Sequence, residues 1–468
     1  MGGAETAGAG DTACYVERGP LASTSRHTQV RGSGCLNGDM LSTIDLFAGC
    51  GGFGLGLEQA GFSPVYFNEL NADARGTYIT NRVNRHEWFQ QELNRSNWTN
   101  RFCSGDARAL VSGPSPLRNL QRLLKTEFAI GRDEVDVVVG GPPCQGFSGI
   151  GHRRSYAVAK SELPSNHLYS VMAAIVGAIR PRAFVFENVR GLLHSRWASD
   201  GVHGEIWSHV KRAFISLGGY TIATQLLFAK DYGVPQNRPR IILIGYREGI
   251  VDRATTLGEI NDIDDTAILR RMLPPANRKK PPDLVDLLGD LVQRPHTNGG
   301  VTPAYPQNAS NRIQRTMRLS PDGKHVYNCG DFLREQAYSK HSPVVVRRFQ
   351  AMLRGKSHTS TRKFSQRVLP ARWGADGPSI TATSLPDDYV HFEQPRSLTV
   401  REWARLQGFP DWYEFVGKRT TGGLRRAGNP QLGLFDRELP KYTQIGNAVP
   451  VELARAIGNH IASTLRRE

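Results

Sequence analysis

From residue 42 to about residue 246, short runs of β-branched and aromatic residues alternate with stretches of helical character. The runs are Thr43–Phe47, Val65–Asn68, Val135–Val139, Ala183–Phe186, Thr221–Phe228 and Ile241–Tyr246. Short apolar runs with helical sequence between them suit strands buried on both faces, so the pattern predicts a doubly wound, mostly parallel α/β sheet. Between about residues 251 and 395 the periodicity weakens and Pro, Arg and Asn become frequent, which predicts a second, smaller and irregular domain. Regular sequence returns at Thr399, where Thr399 and Glu402 have capping-box spacing, Trp403 and Leu406 supply an apolar face, and Gly408 with Pro410 ends the helix. A last helix is expected from Pro450, with Leu453, Ile457, Ile461 and Leu465 on one face to pack back onto the first domain. Residues 1–39 are rich in Gly, Ala, Ser and Thr without apolar period and read as a disordered tail. The division expected is therefore 1–39 tail, 40–250 first domain completed by 440–468, and 251–439 second domain including the Thr399–Gly408 helix.

Charge narrows the class of partner. The chain has 59 Lys plus Arg against 43 Asp plus Glu, a net charge of +16, and Lys340–Arg372 holds nine cations with no carboxylate. A polyanion fits, nucleic acid ahead of an anionic membrane surface. Cys14, Cys35, Cys50, Cys103, Cys144 and Cys329 show no CxxC pairing, which disfavours a metal site or a disulfide framework. The most apolar run, Val171–Ile179, is too short to span a bilayer, and no signal peptide is visible. A cytoplasmic protein with reduced thiols follows as the expectation.

Candidate chemistry collects where strands end. Asp45-Leu-Phe-Ala-Gly-Cys-Gly-Gly-Phe-Gly54 follows the first strand and opens a helix, so its glycines let a ligand approach the backbone. Read alone, that pattern suits a nicotinamide enzyme, a methyltransferase or a plain tight turn. Glu69 stands about twenty residues on and could accept from two ribose hydroxyls; Asp106 could face an adenine amino group. Val135–Val139 runs into Gly141-Pro-Pro-Cys-Gln-Gly-Phe-Ser148, which holds Cys144 on a stiff turn at the same edge. A lone cysteine is most often inert packing, but a proline-braced loop beside a ligand site favours a reactive thiol. The next strand ends in Glu187-Asn-Val189, and Gln236-Asn-Arg-Pro-Arg240 reaches the same rim if its flanking strands pair antiparallel. Gly146–Gly151 with His152, Arg153 and Arg154 reads as a mobile loop.

These blocks, with Arg396-Ser-Leu-Thr-Val-Arg-Glu-Trp-Ala-Arg-Leu-Gln-Gly-Phe-Pro410 and Gly446-Asn-Ala-Val-Pro450, resemble in order and spacing the cytosine-C5 DNA methyltransferase family. The resemblance covers residues 43 to about 250 and about 378 to 461. It implies a Rossmann-like methyltransferase sheet with a target-recognition domain, S-adenosylmethionine as cofactor and double-stranded DNA as partner. By the same resemblance Cys144 is the nucleophile and Glu187 the acid at cytosine N3. Arg238 and Arg240 would steady Cys144 and the base's carbonyl oxygen. Phe47, Gly49, Cys50, Gly52, Glu69, Asp106, Pro143, Leu168 and Asn447 would line the cofactor site, and no metal is expected. The protein would act as a monomer, paired with a restriction endonuclease or as a solitary methylase. Three rivals remain at this point: a tRNA cytosine methylase, a catalytically silent DNA-binding regulator, and a nicotinamide oxidoreductase. The segment 417–437 is an insertion without assigned role.

Overall fold

The computed structural model describes residues 40–143, 164–198, 200–251, 272–276, 280–355, 367–373, 386–421 and 438–467. All of them fall in the unit Gly34–Glu468. The expected tail 1–39, the candidate nucleophile Cys144 and the expected mobile loop lie outside the described residues.

Strands β1 (Leu41–Leu46), β2 (Phe62–Asn68), β3 (Cys103–Ser104), β4 (Val137–Gly140), β5 (Ala183–Val189), β6 (Tyr220–Phe228) and β7 (Pro239–Arg247) form a seven-stranded sheet in the order β3-β2-β1-β4-β5-β7-β6. Every neighbouring pair from β3 to β5 is parallel, whereas β7 runs antiparallel to both β5 and β6. The antiparallel pairing on which the placement of Arg238 and Arg240 depended is therefore present. Two boundaries differ from expectation in a way that matters. β5 continues through Glu187 to Val189 because Glu187 pairs with Ile242 and Val189 with Arg240. β7 likewise begins at Pro239, so Arg240 sits on a strand and not in a loop.

The helices among the described residues are α1 (Gly52–Glu58), α2 (Ala72–Thr80), α3 (Ala107–Leu110), α4 (Pro114–Phe128), α5 (Leu168–Ile179), α6 (Glu205–Ile215), α7 (Leu284–Leu288), α8 (Arg312–Met317), α9 (Pro343–Leu353), α10 (Val400–Leu406), α11 (Lys441–Asn447) and α12 (Val451–Leu465). Alternation along the central strands sends side chains to opposite faces. Val138, Phe184, Phe186 and Leu243 join the layer of α4, α5 and α6. Val137, Val139, Val185 and Ile244 face the layer of α1 and α12. All four predicted apolar positions of α12 are buried against that second face, and each such side chain contributes roughly 1.5–3 kcal/mol. A Cβ at Gly56 would lie 2.4 Å from that of Ala454, so the glycine is what lets α12 approach α1 this closely.

A third core gathers Leu284, Leu287, Tyr305, Met317, Trp403, Leu406 and Tyr413, and includes Cys50, Leu55 and Val451 from the sheet side. Here the sequence reading missed charge. Arg318, Arg396, Arg401 and Arg405 are fully buried and paired: Asp290 bridges Arg318 and Arg405, each at 2.6 Å, and Asp411 takes Arg405 at 2.6 Å. Breaking a buried cluster is costly because the partner charge is left uncompensated. Asp290→Ala is expected to lower stability by roughly 3–5 kcal/mol, read from the urea unfolding midpoint. A loss of less than about 1 kcal/mol would show that the two guanidiniums find other partners.

Candidate active site

Register places the candidate residues on one edge. Leu46 pairs with Gly140, Gly140 with Phe186, and Asp45 with Phe67. The loops after β1, β2, β4 and β5 therefore all leave the sheet at its carboxyl edge, and antiparallel β7 begins there.

On the β1–β2 side, Phe47 and Gly49 adopt left-handed backbone, φ 54° and 56°. A Cβ at Gly49 would meet nothing within 4 Å, so open space lies over that turn. The Glu69 carboxylate accepts the N–H of Gly49 on Oε2 at 2.9 Å and that of Asn71 on Oε1 at 2.7 Å. Burial pushes its pKa up, against the pull of those backbone donors and of Arg75. Two side chains that the sequence reading passed over hold this corner. Asn68 donates to the carbonyls of Ser104 and Gly105 at 3.2 and 2.7 Å, while Arg75 donates to those of Glu69 and Leu70 at 2.8 and 2.6 Å. Their only sequence signal is position, a polar residue closing an apolar strand and an arginine in the first turn of the next helix. Leu70 is 65% exposed beside Glu69, an apolar surface suited to a flat ring.

Other predicted cofactor residues are less uniform. Gly52 opens α1 and is buried, Leu168 is the half-buried first residue of α5, Asn447 is exposed at the end of α11, and Pro143 is exposed. Cys50 turns its side chain into the third core, where Sγ donates to the Gln444 carbonyl at 3.4 Å; burial pushes the thiol up to about 12. Only its main chain remains for a ligand. Asp106 stands past β3, where it caps α3 through the N–H of Arg108 and pairs with that side chain at 2.7 Å. The hydrogen bond from Arg108 holds its carboxyl below the usual range.

On the β4–β5–β7 side, Glu187 and Arg240 meet, Oε1 to Nε 2.6 Å. Burial raises the Glu187 pKa even though Arg240 and then Arg238 oppose it. Its other oxygen would lie 2.7 Å from a Cβ at residue 141, so the glycine there leaves room for the carboxyl group. Asn188 donates to the Pro142 carbonyl at 3.0 Å, bracing the chain two residues before Cys144. Arg238 has backbone partners of which the sequence carried no sign. Its Nη2 donates to the carbonyls of Gly446 and Ala448 at 2.5 and 3.3 Å, so it anchors the Gly446–Pro450 turn. Gln236 extends the anchor to the Leu406 carbonyl at 2.7 Å, and Gln407 to that of Ile445 at 2.8 Å.

Sheet order and rim together define a doubly wound α/β methyltransferase. The family model for C-5 cytosine-specific DNA methylase matches residues 41–114 and 118–463, and the chain belongs to that family. Among its relatives, the Type II methyltransferase M.DdeI of Desulfomicrobium norvegicum is 29% identical over 442 residues, covering 90% of this chain and 88% of the relative. The Type II methyltransferase M.XorII of Xanthomonas oryzae pv. oryzae is 30% identical over 445 residues, 91% of this chain and 85% of the relative. A crystal structure described as a DNA modification methyltransferase encoded within an E. coli prophage shares the fold, with TM-score 0.60, 23% identity, and coverage of 91% of this chain and 99% of that one. The protein is a DNA (cytosine-5-)-methyltransferase, and S-adenosylmethionine is its methyl donor. The residues present fit that donor: open space over Gly49, carboxylate lone pairs remaining on Glu69 beside its two backbone donors, and the apolar Leu70 at the same turn. Among the described residues no helix is long and apolar enough to cross a membrane, and no cluster of potential metal ligands occurs.

Proposed function

We propose that this chain methylates C5 of a cytosine rotated out of a specific duplex sequence, with Cys144 as nucleophile and Glu187 as proton donor, and that it modifies DNA alongside a restriction endonuclease. The reading rests above all on Glu187 sharing the carboxyl edge with both the Gly49–Glu69 corner and the braced Pro142 that leads to Cys144.

In this mechanism the Cys144 thiolate adds to cytosine C6, forming a C–S bond and moving the C5–C6 electron pair toward C5 and N3. Glu187 delivers a proton to N3 and so offsets the charge that builds in the ring. Bound S-adenosylmethionine supplies an electrophilic methyl group at C5. A base then removes the C5 proton, the electron pair expels Cys144 as thiolate, and the N3 proton is given up. Arg240 keeps the carboxyl group oriented and donates toward the base's carbonyl oxygen, while Arg238 holds the Gly446–Pro450 turn against the rim. Rotating the base out costs a few kcal/mol, which phosphate contacts supply.

Residues 40–250 with 440–468 form the catalytic part and 251–439 the target-recognition part, and the enzyme acts in the cytoplasm as a monomer. The relatives named above are Type II methyltransferases by name, which supports the restriction–modification setting. The direct test supplies purified protein and tritiated S-adenosylmethionine to a duplex DNA library and to tRNA. Label recovered as 5-methylcytosine in DNA, at one short sequence by bisulfite sequencing, supports the reading; label in tRNA or on an exocyclic nitrogen refutes it.

A further inference from the structure

The turn that bears Gly49 is gripped from beneath by a residue more than 350 positions away in sequence. Tyr413, fully buried, donates its hydroxyl to the Cys50 carbonyl at 2.6 Å. The Tyr413 hydroxyl oxygen in turn accepts from Arg82 Nη1 at 3.2 Å, and Arg82 Nη2 donates to the Gly51 carbonyl at 3.2 Å. Two successive carbonyls of the turn are thus pulled to one side. Gly51, at φ 88°, allows this closeness, since a Cβ there would lie 2.7 Å from Arg82 Nη1 and 2.8 Å from the Tyr413 oxygen. The base of the grip is rigid. Arg82 is fully buried and pairs with Glu58 at 2.5 Å; burial works against the Glu58 charge, yet Arg82 and Arg85 hold its carboxyl down to about 2. The turn is further closed by the Gly51 N–H on the Ala48 carbonyl at 2.9 Å.

We propose that Tyr413 is a positioning residue for S-adenosylmethionine, holding the Cys50 and Gly51 carbonyls inward so that the Gly49 face of the turn stays open against Glu69. This inference rests on the reading of the Gly49–Glu69 corner as the cofactor site. Without the hydroxyl, the Cys50 carbonyl is buried and loses its donor, which favours rotation of the peptide away from the conformation that receives the ligand. The free enzyme then has to reorder the turn on binding, so affinity falls while the chemistry of the bound complex stays. Two residues earlier, Asp411 accepts from Tyr305 at 2.8 Å and pairs with Arg405. The strut is therefore rooted in the core that carries residues 284–333.

Tyr413→Phe keeps the ring and removes the donor. Calorimetric titration of the full chain with S-adenosylhomocysteine is expected to show Kd raised roughly tenfold, with KM for S-adenosylmethionine raised in parallel and kcat at saturation within about twofold. Tyr232→Phe is the comparison, because it too loses a buried hydroxyl bond, to the Pro274 carbonyl at 2.9 Å, away from this turn. It should lose thermal stability comparably and leave Kd unchanged. An unchanged Kd in Tyr413→Phe, or equal rises in both variants, overturns the proposal. Arg82→Lys removes the donor to the Gly51 carbonyl and decides the matter if Tyr413→Phe does not fold. Glu69→Ala separates the two levels of the argument: if it binds S-adenosylhomocysteine normally the site assignment fails, whereas strong loss in Glu69→Ala beside normal binding in Tyr413→Phe refutes only the role of Tyr413.

Discussion

Cys144→Ala is expected to reduce methyl transfer by at least about 10⁴-fold while leaving DNA binding and cofactor binding measurable. Without the thiolate no group saturates C6, and C5 of an intact cytosine ring is too weak a nucleophile to take the methyl group. The other parts remain in place, because neither the Asn188–Pro142 brace nor the Glu187–Arg240 pair involves the sulfur. Binding measured by fluorescence anisotropy on duplex DNA should therefore stay close to that of the parent protein. Parent-level turnover by this variant, read from tritium transfer, would remove the covalent step from the account.

The second large effect belongs to Glu187→Gln. An amide can donate a hydrogen bond to N3 but cannot transfer a proton, so kcat should fall roughly 10²- to 10⁴-fold. The sign of the pH dependence follows from the carboxyl's surroundings. Burial raises the Glu187 pKa, with Arg240 and Arg238 pulling the other way, so the protonated donor persists to higher pH than a free glutamate. A rate that needs this proton is full below the folded-state pKa and declines as pH rises through it. In Glu187→Gln that declining limb should vanish, leaving only the rise that accompanies thiolate formation. A variant that keeps the limb shows that another group titrates there.

Much of this site could be read before any coordinates, because its residues lie at strand ends and strand ends are marked by short apolar runs. Phe47, Glu69, Pro143, Glu187 and Arg240 all fell on one edge as expected once β6, β7 and β5 paired antiparallel. The capping box of α10 was equally legible, since Thr399 and Glu402 are three residues apart and bond each other's main chain. What stayed hidden depends on contacts between distant segments. Nothing local distinguishes the buried Arg405 from a solvated arginine; its partner Asp290 lies 115 residues away. Strand β3, two half-buried residues long, has no periodicity to detect. Cys50 and Arg238 sit in matching motifs, yet one side chain turns into a core and the other holds a backbone turn, because a motif gives a residue's address and not its direction.

The covalent step is tested most directly with a duplex that carries 5-fluorocytosine at the target position, incubated with enzyme and S-adenosylmethionine. Fluorine cannot leave C5 as a proton does, so the Cys144 bond to C6 should persist and give a denaturation-resistant adduct, with the DNA mapped by mass spectrometry to the peptide containing Cys144. No adduct, an adduct on the exposed Cys329, or an adduct that still forms in Cys144→Ala would contradict the mechanism.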